Sequence, residues 1–279
     1  MRRRRIIVAG AAVAVILLLT GGYLLFIAKP APFPSDEQAL IDVLNTHSQG
    51  AEIEQLLDVL PVEKRFQFVP FVTDEKDYGM SFWVWKDLRW QPAFITYSGE
   101  PRVWKVRERD PSTYRIVWNI SPESSLSTLE LLMIKSRNLY MTDGKWTYEP
   151  RVQMDIALSL PDDSYKAMQL PDEWVTVMNS YQELMNGGRH LSMSPFQSLF
   201  STPPFEWGWI SKNASGEQVY PVGIRNTNIH LTGSISVDFM MWITEGQLEV
   251  AKDRVGSRAN SYLASKEQKQ YTLWKADRK

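Results

Sequence analysis

The stretch Ile6–Ile27 constrains everything after it: 22 consecutive residues without a charged side chain, preceded by Arg2-Arg3-Arg4-Arg5. A helix rises about 1.5 Å per residue, so a run of this length matches the roughly 30 Å hydrocarbon core of a bilayer. Only Lys29 follows closely, and cationic flanks stay on the cytoplasmic side. The expectation is a single-pass anchor in the cell membrane: residues 1–5 inside, a transmembrane helix over 6–27, and the rest of the chain extracytoplasmic. A cleaved signal peptide fits less well, because its apolar core runs to about 7–15 residues and ends in a small-x-small site. Ala28-Lys29-Pro30-Ala31-Pro32 offers none. Gly10 and Ala14 have the spacing at which two membrane helices approach closely, but small residues are common in any such helix.

Charge and cysteine narrow the function classes. Without the four N-terminal arginines, 27 of the 31 basic residues remain, against 32 acidic ones. A slightly acidic domain has no general attraction for phosphates, so nucleic acid is disfavoured as a partner. There is no cysteine, which excludes disulfides, thiolate metal sites and cysteine nucleophiles. Secreted eukaryotic domains of this size often carry disulfides, so a cysteine-free extracytoplasmic chain points to a bacterial envelope.

Downstream, the pattern predicts an α+β fold rich in antiparallel sheet. Residues 28–35 carry three prolines and read as a semi-rigid linker lifting the domain off the bilayer. Ser35 and Gln38 suggest a capping box for a helix burying Leu40, Ile41 and Leu44 and ending near Gly50. Residues 51–60 read as a second helix, with Ile53, Leu56, Leu57 and Leu60 inward. From Arg65 the period changes to that of strands. Pro70 demotes the first run to an edge or bent strand, whereas 80–85 reads as a buried central strand. Further runs lie at 90–97, 103–107, 114–120, 126–134, 138–142 and 154–160. Asp143-Gly144 supplies a tight hairpin turn, after which Trp146 and Tyr148 share a face.

The polar break at 161–164 separates 36–160, a meander domain, from 161–279, a second α+β module or a continuation of the first. A helix follows Pro171, with Trp174, Val177, Met178, Tyr181 and Leu184 at helical spacing and Gly187-Gly188 stopping it. Ser194-Pro195 reads as the start of a short helical turn, and 201–204 as loop. Strand patterns return at 206–210, 219–224, 229–231 and 235–243, and weakly at 271–274. Residues 247–263 fit strand and helix patterns alike.

Catalytic motifs are absent. His47, His190 and His230 lie too far apart in sequence for HExxH or any local ligand pair, so no metal site is expected. No GxSxG, SxxK, GxGxxG or GxxxxGK[ST] occurs, and nothing implies a cofactor. Asp74, Glu75, Asp162, Asp163, Asp172 and Glu173 are loop or helix-end carboxylates of the kind that could flank a glycosidic bond; solvated surface is the better reading of each. Asn119 and Asn213 open glycosylation-type sequons, a short and common match.

The eleven tryptophans are the unusual quantity. Alternation assigns Trp83, Trp85 and Trp118 to the core. Trp207 and Trp209 follow the Pro203-Pro204 loop and flank Gly208, and are the candidate ligand-binding residues. The leading expectation is therefore a membrane-anchored, non-catalytic binding or accessory protein of the cell envelope, meeting an envelope protein or a cell-wall polymer. The alternative is an envelope glycan or peptide hydrolase with a dispersed carboxylate site.

Overall fold

The computed structural model describes residues 2–26, 29–47, 51–142, 144–160, 162–187, 205–221, 228–231 and 235–248. Three α-helices occur among them, α1 (Arg2–Phe26), α2 (Glu37–Asn45) and α3 (Asp172–Gly187). The strands begin with β1 (Ile53–Leu56), β2 (Leu60–Glu63), β3 (Phe66–Thr73), β4 (Tyr78–Lys86), β5 (Arg89–Thr96) and β6 (Arg102–Lys105). Next come β7 (Arg115–Asn119), β8 (Leu126–Lys135), β9 (Asn138–Thr142), β10 (Lys145–Glu149) and β11 (Val152–Ser159). The series closes with β12 (Tyr165–Gln169), β13 (Glu206–Asn213), β14 (Asn228–His230), β15 (Ser236–Phe239) and β16 (Met241–Trp242). The architecture is α+β, and among the described residues the strands pair antiparallel except for the short parallel contact of β13 with β16.

Helix α1 covers most of the stretch expected to span a bilayer. Its described side chains run from Gly10 to Tyr23, and among the described residues no helix is long and apolar enough to cross a membrane.

Contacts divide the chain into two compact units, residues 1–97 with 226–234, and residues 98–225 with 235–279. The polar break at 161–164 falls between β11 and β12, inside the second.

In the first unit β1, β3, β4, β5 and β14 form one sheet, with β2 also on β3. Helix α2 buries Leu40, Ile41 and Leu44 as its spacing predicts, but its cap is Asp36, whose carboxylate accepts from Ala39 N at 3.1 Å. Asn45 then closes the helix onto β1, donating to Ile53 O and accepting from Ile53 N.

Residues 51–60 are not helical. The register of β1 on β3 slips between Ile53 and Gln55, which turns Ile53 and Leu56 to the same buried face. That three-residue spacing imitates a helix, and pairing with β3 overrides it. Pro70 is likewise no edge marker, since β3 has partners on both sides. Its carbonyl accepts from Leu57 N in the gap between β1 and β2. A strand residue's N–H and C=O point to the same side, so the missing N–H costs no ladder bond where the facing strand is already broken.

The proline-rich linker is docked rather than free. Phe33 packs edge-on to Trp83 and Trp90 at 5.5 and 5.2 Å, and Trp90 Nε1 donates to Ala31 O at 2.8 Å.

In the second unit, β12-β7-β6-β15 and β11-β8-β13-β16 form two four-stranded sheets. Their facing residues share one core, which includes Tyr114, Ile116, Trp118, Leu129, Leu131 and Met133. Trp174 and Met178 of α3 join it. The alternation of 114–120 is thus realised, and Trp118 Nε1 is satisfied by Asp163 O at 2.7 Å. Strand β8 is buried on its other face too, where Leu132 and Ile134 meet Ile210, Ile243 and Leu248. Strands β9 and β10 form a separate two-stranded sheet, with Gly144 at φ 74° between them in sequence; the expected turn residue Asp143 lies outside the described residues. The expectations at Gly50, Gly188, His190, Ser194-Pro195, 201–204, 222–224 and beyond 248 lie outside the described residues.

Candidate binding surfaces

Both predicted binding residues are core residues. Trp207 and Trp209 lie on β13, antiparallel to β8, and alternate inward together. Trp207 stacks on Trp174 with centroids 6.2 Å apart. Trp209 is fully buried, and its Nε1 donates to Met240 O at 3.2 Å. Neither ring offers a free face to a ligand. The proline loop upstream suggested loop character, but the period-two spacing around Gly208 is that of a strand. The glycine serves packing on the opposite face, where a Cβ would come within 2.9 Å of Ile243 Cδ1.

Trp209 is nevertheless the back wall of an aromatic cluster that reaches the surface. Tyr220 lies 6.0 Å from Trp209 and 5.5 Å, edge-on, from Trp242. Trp242 is partly buried, and its Nε1 donates to Ser211 Oγ at 3.3 Å. Tyr220 is 43% exposed, and its hydroxyl donates to Glu100. The second Glu100 oxygen accepts from Ser98 Oγ at 3.2 Å. Two positions on, Arg102 is paired with Phe239 across β6 and β15, and its guanidinium carbon sits 4.2 Å from that exposed ring's centre.

The electrostatics follow from this placement. Burial, then the hydrogen bond and charge of Glu100, push the Tyr220 phenol up to about 12. It is a fixed donor at neutral pH. Burial lowers Arg102 to about 10 against the opposing pull of Glu100, so it keeps its charge. The surface combines a carboxylate held by two hydroxyls, a buried cation and three partly or well exposed rings. Such a set can stack on an apolar ligand face while accepting hydroxyl or ammonium hydrogens. No local motif announces it, because Glu100, Tyr220 and Trp242 lie on three distant segments.

A second exposed surface is the β9–β10 hairpin. Leu139 pairs with Tyr148, and Met141 with Trp146. All four are more than half exposed, Trp146 most of all at 68%. The shared face of Trp146 and Tyr148 was legible in the sequence; its lack of cover was not.

Four of the sequence-predicted carboxylates, Asp74, Asp163, Asp172 and Glu173, serve local structure. Asp74 accepts from Glu52 N and Glu75 N, and Asp163 pairs with Lys166 at 2.7 Å. Asp172 and Glu173 occupy the first turn of α3, where negative charge suits the helix dipole. Among the described residues no three His, Cys, Asp or Glu side chains gather in a way that could hold a metal. In comparison with known proteins, no family model, no curated protein and no solved structure matches the chain.

Proposed function

We propose that this chain is a single-pass, membrane-anchored binding or accessory protein of the cell envelope, non-catalytic, whose ligand face is the aromatic cluster around Glu100 and Tyr220. Support for the anchor comes from Ile6–Ile27 and its arginine flank. The described part of α1 leaves Val13, Val15, Ile16, Leu17, Leu18 and Leu19 more than half exposed, an apolar surface that lipid would cover. On this reading residues 28–279 are extracytoplasmic.

The observation that carries the binding role is the carboxylate of Glu100, held between Tyr220 and Ser98 beside partly exposed rings. Aromatic faces stack on the C–H faces of sugars, and a carboxylate accepts their hydroxyls. A cell-wall polymer is therefore the ligand class of choice, ahead of an envelope protein. The test is tryptophan fluorescence of the full-length chain titrated with soluble wall fragments. A saturable change that Trp242→Phe diminishes and Tyr220→Ala abolishes supports the proposal; a flat titration with well-folded protein refutes the glycan ligand.

A further inference from the structure

We infer that the β9–β10 hairpin is a membrane-contacting element, laying Leu139, Met141, Trp146 and Tyr148 into the interfacial layer of the bilayer that holds α1. The inference rests on the proposed anchoring, and it concerns a surface separate from the aromatic cluster around Glu100.

Four observations lead there. The pairing of Leu139 with Tyr148 and of Met141 with Trp146 gathers two rings and two flexible chains on one exposed face. Tryptophan and tyrosine, with apolar bodies and a polar tip, are the side chains enriched at the headgroup level of membranes. Next, both cross-strand pairs on this face, Leu139 with Tyr148 and Met141 with Trp146, are uncharged, and Glu149 at the root is neutralised by Lys135 at 2.7 Å. The apolar face thus carries no charge into the lipid.

Third, the hairpin is a two-stranded sheet, so its outer backbone groups need water. Those groups forbid the hydrocarbon interior but not headgroup depth. Fourth, the chain leaves α1 at Phe26 and is bound to the first unit at Ala31 O. Five residues span at most about 18 Å, so the first unit is held beside the bilayer, and the covalent tether gives the hairpin a high effective concentration of lipid. Size also argues against a protein occupant. Four side chains of one hairpin present on the order of 500 Å², against the ~800 Å² per partner of a stable protein interface.

The chain has no cysteine, which makes a site-specific probe direct. Single variants Met141→Cys, Ile16→Cys and Leu88→Cys of the full-length chain would carry an NBD dye in vesicles of phosphatidylcholine and phosphatidylglycerol. Lipids spin-labelled near the headgroup are the quencher for positions 141 and 88, and lipids spin-labelled near the acyl-chain end are the quencher for position 16, which the anchor puts at the bilayer centre. Quenching at 141 at least threefold above that at exposed Leu88 is the expected result. Adding Trp146→Ser and Tyr148→Ser should reduce it severalfold, showing that the face and not the dye seeks the lipid. Quenching at 16 together with none at 141 would overturn the inference and leave the anchor standing. No quenching at 16 would overturn both.

Discussion

Lys135 and Glu149 stand 14 residues apart in the chain and 2.7 Å apart in space, where they close the root of the β9–β10 hairpin. Both side chains are largely buried, at 7% and 17% exposure, and the ammonium also rests 5.1 Å from the Tyr181 ring on α3. Removing one partner leaves a buried charge without its counterion. Glu149→Ala should therefore cost about 3–5 kcal/mol in urea unfolding, while Lys135→Met with Glu149→Leu recovers most of that loss. A loss below about 1 kcal/mol in Glu149→Ala would show that the pair is solvated.

Gly79 is required by packing. A Cβ there would stand 2.4 Å from the Phe71 ring and 2.8 Å from Thr96 O. Ring and backbone are both fixed by the first core, so Gly79→Ala should destabilise by ~1–3 kcal/mol. Gly208→Ala meets mainly the flexible end of Ile243 and should cost less. Denaturation midpoints of the two variants give the comparison.

The Tyr220 phenol predicts an alkaline effect. Burial first, and Glu100 second, raise it to about 12, against about 10 in an unfolded chain. The folded state then holds the proton more tightly. Its contribution is complete below pH ~10 and lost as pH rises towards 12. The stability gap between wild type and Tyr220→Phe should narrow over that window, measured by urea unfolding at pH 8 and pH 11. Lys212 adds to the wild-type decline in the same direction: burial opposes its charge, but Glu245 and Glu130 outweigh it and raise its pKa.

Phe33 fastens the linker to the first unit through its edge contacts with Trp83 and Trp90. Each such contact is worth ~0.5–1.5 kcal/mol beyond area. Phe33→Ala should speed hydrogen exchange and proteolysis within 29–35 by roughly an order of magnitude, with β4 and β5 protected as before. Unchanged exchange would mean that Ala31 alone holds the segment.

What the sequence disclosed follows from which interactions are local. Leu40, Ile41 and Leu44 share a helix face by spacing alone, and Tyr114, Ile116, Trp118 and Ile120 a strand face. Gly144 supplies the positive φ that a tight hairpin connection needs. Ile53 and Leu56 misled because a register slip on β3 imitates helical spacing, and Pro70 because its facing strand is interrupted. Trp209 is buried behind Tyr220 and Trp242, and these are brought to Glu100 only by the fold. A site assembled from residues 100, 220 and 242 leaves no spacing to read.

Co-sedimentation of the full-length, detergent-solubilised chain with insoluble wall material tests the central claim most directly. The comparison set is wild type, Tyr220→Ala, Glu100→Gln and, in the first unit, Leu88→Ala. Wild type and Leu88→Ala should sediment alike, and the two cluster variants should lose at least tenfold in apparent affinity, the ~1.4 kcal/mol of one lost charged hydrogen bond or more. Equal sedimentation of all four, or of none, would contradict a wall-binding face at Glu100 and Tyr220.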